Sequence, residues 1–221
     1  MPRSTTHQAS SPWQAISPLE SLDEGAHVAV LYASRSERDA HLIPYLIAAT
    51  RGGKSGVCVA GDEPGSLERK LEAAVPGSSE SLEVLPTDST YLVDGEFAGD
   101  AMADWLRSVA EAAPRGSSGA VSHIAGDLDW LAPLDGSSLD DVHGYESVLD
   151  SFASQSRHTF ACFYDTTSLP GAHLIDVFRT HSRVLVGGAL WESPFYLTPD
   201  QASGASHVGA LSADSISAGL T

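Results

Sequence analysis

The chain has 221 residues, of which 42% are hydrophobic, enough for one α/β domain with a sizeable core and tails. Its 29 acidic residues outweigh its 12 basic ones and leave a formal net charge of -17 at pH 7. Such a surface repels phosphate backbones and anionic lipid, which argues against direct nucleic-acid binding and against a membrane partner.

Residues 1–24 are rich in Ser, Thr, Pro and Gln and read as a flexible arm. No apolar stretch follows Arg3, so no signal peptide is expected. His27 to Ala33 (HVAVLYA) is an apolar run that reads as a buried strand. Ser34 and Glu37 then stand at capping-box spacing. They head a helix in which Leu42, Ile43, Leu46 and Ile47 recur at helical spacing and which Gly52-Gly53 ends. Val57 to Ala60 is the second strand, and Asp62 and Pro64 open a helix carrying Leu67 and Leu71. Leu82 to Leu85 is the third strand, and Phe97, Ala101, Trp105 and Val109 mark an amphipathic helix. Ala120 to Ala125 is the fourth strand, followed by a helix through Val142, Tyr145, Leu149 and Phe152. Thr159 to Tyr164 (TFACFY) is the fifth. A short helix through Leu174, Val177 and Phe178 leads to the sixth at Val184 to Val186, and Phe195 to Leu197 is expected to add an edge strand. Residues 201–221 are small and polar and read as a flexible tail, which leaves 25–200 as the folded domain.

Strands alternating with helices give an α/β fold with a mainly parallel central sheet and helices on both faces. The two cysteines, Cys58 and Cys162, lie inside apolar runs, as buried free thiols of a reducing cytoplasm do. No run reaches the length of a membrane span.

In parallel sheets, ligands sit outside the carboxyl ends of the strands. The residues that follow the strands are therefore candidates: Tyr32, Ser34 and Arg35, then Asp62, Asp88 and Tyr91, then Asp127, Asp129 and Trp130, then Tyr164 and Asp165, then Trp191 and Glu192. A phosphate cradle needs glycines that let backbone N–H groups close on the phosphates, then Lys and Ser/Thr. The first strand-to-helix turn, ASRSERDAH, has neither glycine nor lysine. Gly53-Lys54-Ser55 carries the right residue types but runs from helix into strand, the reverse of the required context. No nucleotide or other cofactor is expected. Asp127 and Asp129 resemble the acidic residues that hold Mg²⁺ in nucleotide hydrolases, and a nucleotide- or metal-dependent enzyme using them is the alternative reading. There is no G-x-S-x-G, H-E-x-x-H or CxxC motif.

Several short motifs in fixed order carry a resemblance. They are His27 in HVAVLY, SLERKLEAA, TDSTYLVDGEF, AGDLDW with Trp130, YESVLDSF with Tyr145 and Glu146, ACFYD with Cys162, Tyr164 and Asp165, RTHSRVLVGG with His181, and SPFYLTP. Over residues 25–200 the chain resembles the MEDS family, the sensory domain of methanogen and methylotroph regulators responsive to dichloromethane. Ser122-His123 stands where many relatives place an arginine. The resemblance implies a degenerate relative of the RecA and KaiC P-loop fold, a three-layer sandwich without a functional phosphate loop. It also implies a non-catalytic role in sensing small organic molecules, often one-carbon or hydrocarbon derivatives. A separate protein partner, such as a kinase or transcription regulator, would then carry the output, and a homodimer is compatible with that role. A ligand-free protein adaptor is the remaining alternative.

The resemblance draws attention to His27, Cys162 and His181, a thiol and two imidazoles that could hold a soft metal. His27 opens the first strand and His181 ends a helix antiparallel to it, so both are expected at the amino edge of the sheet, as a hydrogen-bonded pair. Cys162 lies about three residues into its strand, roughly 10 Å further along. It is expected to fill the core, and no metal site is expected from the three. Trp130, Tyr164 and Trp191 are expected to wall a pocket for an apolar ligand, with Tyr32 or Asp165 orienting a polar end.

Overall fold

All six residues of His27–Tyr32 (β1) are buried, as a strand covered on both faces requires. Its side chains alternate: Val28 and Val30 enter one core, Ala29 and Leu31 the other. The computed structural model describes residues 17–51, 53–62, 65–111, 121–132 and 136–201. After β1 come α1 (Arg35–Arg51), β2 (Ser55–Ala60), α2 (Ser66–Ala74), β3 (Leu82–Pro86), and a small hairpin of β4 (Leu92–Val93) and β5 (Glu96–Phe97). The chain continues through α3 (Gly99–Glu111), β6 (Val121–Asp127), α4 (Gly136–Gln155), β7 (Thr159–Asp165), α5 (Gly171–Thr180), β8 (Arg183–Val186) and β9 (Ala189–Glu192). No described helix is long and apolar enough to cross a membrane.

Seven strands form the central sheet in the order β3-β2-β6-β7-β1-β8-β9. Every neighbouring pair is parallel except β8–β9. The fold is therefore α/β with a mainly parallel sheet. One face packs against α1 and α2 through Leu42, Ile43, Tyr45, Leu46, Leu67 and Leu71. The other packs against α3, α4 and α5 through Met102, Leu106, Val142, Leu149 and Val177. The Tyr45 hydroxyl donates to the carbonyls of Ile124 and Thr159 at 3.2 and 2.6 Å, tying α1 to the two central strands.

Three expectations change. The added edge strand is Ala189–Glu192, not Phe195–Leu197. Gly187 and Gly188, at φ 58° and 78°, form a two-residue turn between Val186 and Ala189, and the chain reverses at once. Phe97 belongs to the β4–β5 hairpin rather than to the helix, because Asp94 and Gly95, both at positive φ, make another tight turn. Residues 17–24, read as part of a flexible arm, instead include a short helical turn with Leu19 fully buried. Ser17 and Glu20 cap that turn reciprocally, and Arg51 of α1 pairs with Glu20. Residues 1–16, Gly52, Pro64, Ala120 and the tail beyond Gln201 lie outside the described residues.

Candidate functional site

The carboxyl edge of the sheet is occupied by the protein's own charges. Arg38, fully buried on the first turns of α1, donates to Asp127 on β6, to Asp62 at 2.6 Å and to Asp39 at 2.7 Å. The Tyr32 hydroxyl donates to the other oxygen of Asp127 at 2.8 Å. Lys70 donates to Asp39 at 2.6 Å, and the exposed Arg35 spans Asp62 and Asp129. Burial pushes the Asp127 carboxyl up to about 6, with Arg38 pulling against it and Asp129 adding to the rise. Burial and the Asp127 charge hold the Tyr32 hydroxyl in its protonated form. Ser34 accepts from the Glu37 N–H at 3.2 Å, while the Glu37 carboxylate accepts from the Ala33 N–H at 2.8 Å. The end of α1 that meets phosphate in nucleotide enzymes is thus capped and ion-paired internally.

The other strand-end candidates are dispersed. Trp130 stacks on Tyr91 and Phe97, with ring centroids 5.2 and 5.6 Å away. Asp165 caps its own turn, accepting from the N–H and hydroxyl of Thr167 at 2.8 and 2.6 Å. Two pocket expectations are corrected. Trp191 sits on the outermost strand of the sheet and is 60% exposed. Tyr164 faces inward from β7 and donates to Glu146 at 2.8 Å inside the core.

That hydrogen bond leads to a second polar centre, beneath α4 near the amino side of the sheet. His27 Nε2 lies 3.1 Å from Glu146 Oε2, and His27 Nδ1 lies 3.3 Å from Asp150 Oδ1. Cys162 Sγ lies 3.5 Å from His27 Nε2 and 3.6 Å from Glu146 Oε2. His181 Nε2 is 3.6 Å from Glu146 Oε2, and the His27 and His181 rings pack 4.1 Å apart; the two histidines are neighbours, but through ring packing and Glu146 rather than the expected hydrogen bond to each other. His27, Glu146, Cys162 and His181 are each at most 3% exposed. Burial, then the Glu146 charge, pushes the Cys162 thiol well up. Burial, then His27, pushes His181 down to about 3. Burial works against a charged Glu146, yet hydrogen bonds from His27 and Tyr164 and the neighbouring imidazoles hold it below its usual range.

The expectation that His27, Cys162 and His181 stay apart is therefore wrong. It compared backbone heights only. β1 pairs with β7 so that His27 faces Phe160 and Ala29 faces Cys162. His27 and Cys162 are diagonal neighbours on one face, a separation that an imidazole and a thiol bridge. Glu146 completes the group from α4. Sequence reading missed Asp150 and Tyr196: the Tyr196 hydroxyl donates to Asp150 at 2.6 Å. The signal was available, because Asp150 follows Glu146 by one helical turn on the same face. Two imidazoles, a thiol and a carboxylate, with ligand atoms all within 4.8 Å of one another, form a donor set suited to a borderline transition metal.

A groove of about 430 Å³ runs along the outer side between α3 and α4, lined by Phe97, Ala103, Tyr145 and Val148 among others. Tyr145 meets Phe97 edge to face at 5.6 Å, and Gly144 leaves the wall open, with nothing within 4 Å of where its Cβ would stand.

Fold and site together define a parallel α/β domain with an ion-paired crest and a polar centre buried under one helix. The chain belongs to the MEDS family, the methanogen/methylotroph, DcmR sensory domain, whose family model matches residues 26–182. No curated protein matches it. Among solved structures it is similar to the flagellar accessory protein FlaH from Methanocaldococcus jannaschii, at 13% identity over 76% of each chain with a TM-score of 0.47. That likeness is too distant to inform function.

Proposed function

We propose that this sensory domain reads a small organic molecule, of the one-carbon or short hydrocarbon class, in the groove between α3 and α4. The signal then passes to a protein partner such as a kinase or transcription regulator. The single observation that carries this reading is the placement of α4. At consecutive positions, Tyr145 faces the groove and Glu146 faces the buried polar centre. A ligand that shifts α4 therefore acts on both. Such a shift needs unequal affinity for two states, which a partly open aromatic wall can supply.

The crest supports a non-catalytic role. Asp127 is fully buried, with the Tyr32 hydroxyl on one oxygen and the Arg38 guanidinium on the other, so a cation already stands where Mg²⁺ would bind. The mainly parallel sheet fits descent from a RecA- or KaiC-like nucleotide domain, and the glycine-free first turn with its ion pairs fits loss of the phosphate site.

Calorimetry or ligand-observed NMR with one-carbon and short hydrocarbon derivatives tests the reading. Saturable binding is expected in the wild type, with loss in Phe97→Ala and in Val148→Asp. Binding that is unchanged in both variants would end it, and saturable Mg²⁺–ATP binding would promote the enzyme reading instead.

A further inference from the structure

The geometry points to a closed zinc-class metal site held by His27 Nε2, Glu146 Oε2, Cys162 Sγ and His181 Nε2. The site shares α4 with the groove, but its test reads metal alone, so its failure and that of the sensing proposal are distinguishable.

Distance is the first argument. Zinc bonds of about 2.0–2.3 Å at tetrahedral angles put ligand atoms roughly 3.3–3.8 Å apart. Four of the pairwise separations are 3.1, 3.5, 3.6 and 3.6 Å, and all the ligand atoms lie within 4.8 Å of one another. The side chains already stand close to the edges of a coordination tetrahedron.

The second argument is where the protons must be. The Val177 carbonyl can only accept, and it lies 2.9 Å from His181 Nδ1, so Nδ1 carries the hydrogen. His181 Nε2 is then a bare lone pair, fully buried, with no hydrogen-bond partner, and it faces Glu146 Oε2, which is also an acceptor. Two acceptors facing each other in a dry core cost energy unless a cation lies between them. His27 Nδ1 is directed at Asp150, and its inward Nε2, which meets Glu146 Oε2 at 3.1 Å, would exchange its hydrogen for the ion.

Third, the surrounding groups already form the outer shell that metal ligands need. Asp150 receives the outer nitrogen of His27 and is fixed by Tyr196. The Val177 carbonyl orients His181, and Tyr164 binds Glu146 Oε1, which leaves Oε2 free to point inward.

Charge and softness then select the ion. A carboxylate and a thiolate neutralise a divalent cation in a place where net charge is expensive. A thiolate with two imidazoles suits zinc and disfavours Mg²⁺ and Ca²⁺, which take oxygen ligands. Four protein ligands fill a tetrahedron, so the ion would clamp β1, β7, α4 and the α5–β8 junction rather than activate water.

Untagged protein, purified with reductant, should hold about one zinc per chain by elemental analysis. Stripping the metal and titrating Co²⁺ should give a thiolate-to-cobalt charge-transfer band with intense tetrahedral visible absorption. Cys58, on the opposite face of the sheet, provides the internal control. Cys58→Ser should keep the charge-transfer band and Cys162→Ser should abolish it. Folded wild type that takes up neither zinc nor cobalt would overturn the proposal, even if Cys162→Ser fails to fold. A cobalt–thiolate band that survives in Cys162→Ser would also overturn it.

Discussion

Arg38 is among the largest fully buried side chains, and it carries a full charge. Asp39, Asp62 and Asp127 surround its guanidinium. Removing it leaves the fully buried Asp127 without a cation, while Asp39 keeps Lys70 and Asp62 keeps Arg35, and a broken buried pair costs about 3–5 kcal/mol. Arg38→Met should lower the urea unfolding free energy by that order. Arg35→Ala, which removes an exposed partner of Asp62 and Asp129, should cost no more than about 1 kcal/mol. Equal losses in the two variants would show that burial does not set the strength of this network.

His123 provides a pH dependence at the same scale. Burial, then the Lys54 charge, depresses it to about 4 from 6.5, and its ring packs 4.9 Å from Tyr45 with Ser122 against Nδ1. The fold therefore keeps it neutral, while the unfolded chain takes up a proton below about pH 6.5. Its contribution to stability is complete above that pH and is lost as pH falls from 6.5 towards 4. The loss is bounded at about 3 kcal/mol and reduced by the ring's residual solvent access. Unfolding free energy measured from pH 7 to pH 4 should fall less steeply in His123→Gln than in wild type. Parallel curves would mean that His123 titrates alike in both states.

Among the elements, β6 and the β4–β5 hairpin depend on one missing side chain. A Cβ on Gly126 would clash with the Tyr91 hydroxyl oxygen. The Tyr91 hydroxyl reaches that strand because glycine is there; Trp130 stacks on Tyr91, and Phe97 on Trp130. Gly126→Ala should displace the stack and cost about 1–3 kcal/mol, as overpacking does. The same change should alter the near-UV circular dichroism and Trp fluorescence. An unaltered spectrum would show that Tyr91 moves aside without disturbing Trp130. Both hairpins were legible in principle, since Asp94-Gly95 and Gly187-Gly188 are strong two-residue turn signals. Apolar periodicity alone runs across these turns, which is why it places Phe97 in the helix and the last strand at Phe195–Leu197.

For the whole molecule, a net charge of -17 in 221 residues makes self-repulsion a general cost of compactness. Salt screens exposed charges within about 10 Å at 0.1 M, while the buried ion pairs at the crest are shielded much less. Thermal unfolding should therefore shift upward as NaCl is raised from low ionic strength to about 0.5 M. A downward shift would mean that attractive surface pairs outweigh the bulk repulsion. The same acidity makes binding to an anionic surface unfavourable.

The sequence by itself determined the order of strands and helices, the mainly parallel sheet and the absence of a phosphate loop. These rest on local periodicity and on residue types at a single turn. The resemblance to the MEDS family, rather than any local pattern, singled out His27, Glu146, Cys162 and His181. Only the tertiary structure decided that these four meet, because their contact depends on the register of β1 against β7 and on how α4 lies across both strands. Likewise it turned Tyr164 inward and closed the carboxyl edge of the sheet with Arg38, a residue that no local pattern marks out. Side chains far apart in the chain become neighbours through long-range pairing and packing, and no local pattern encodes those distances.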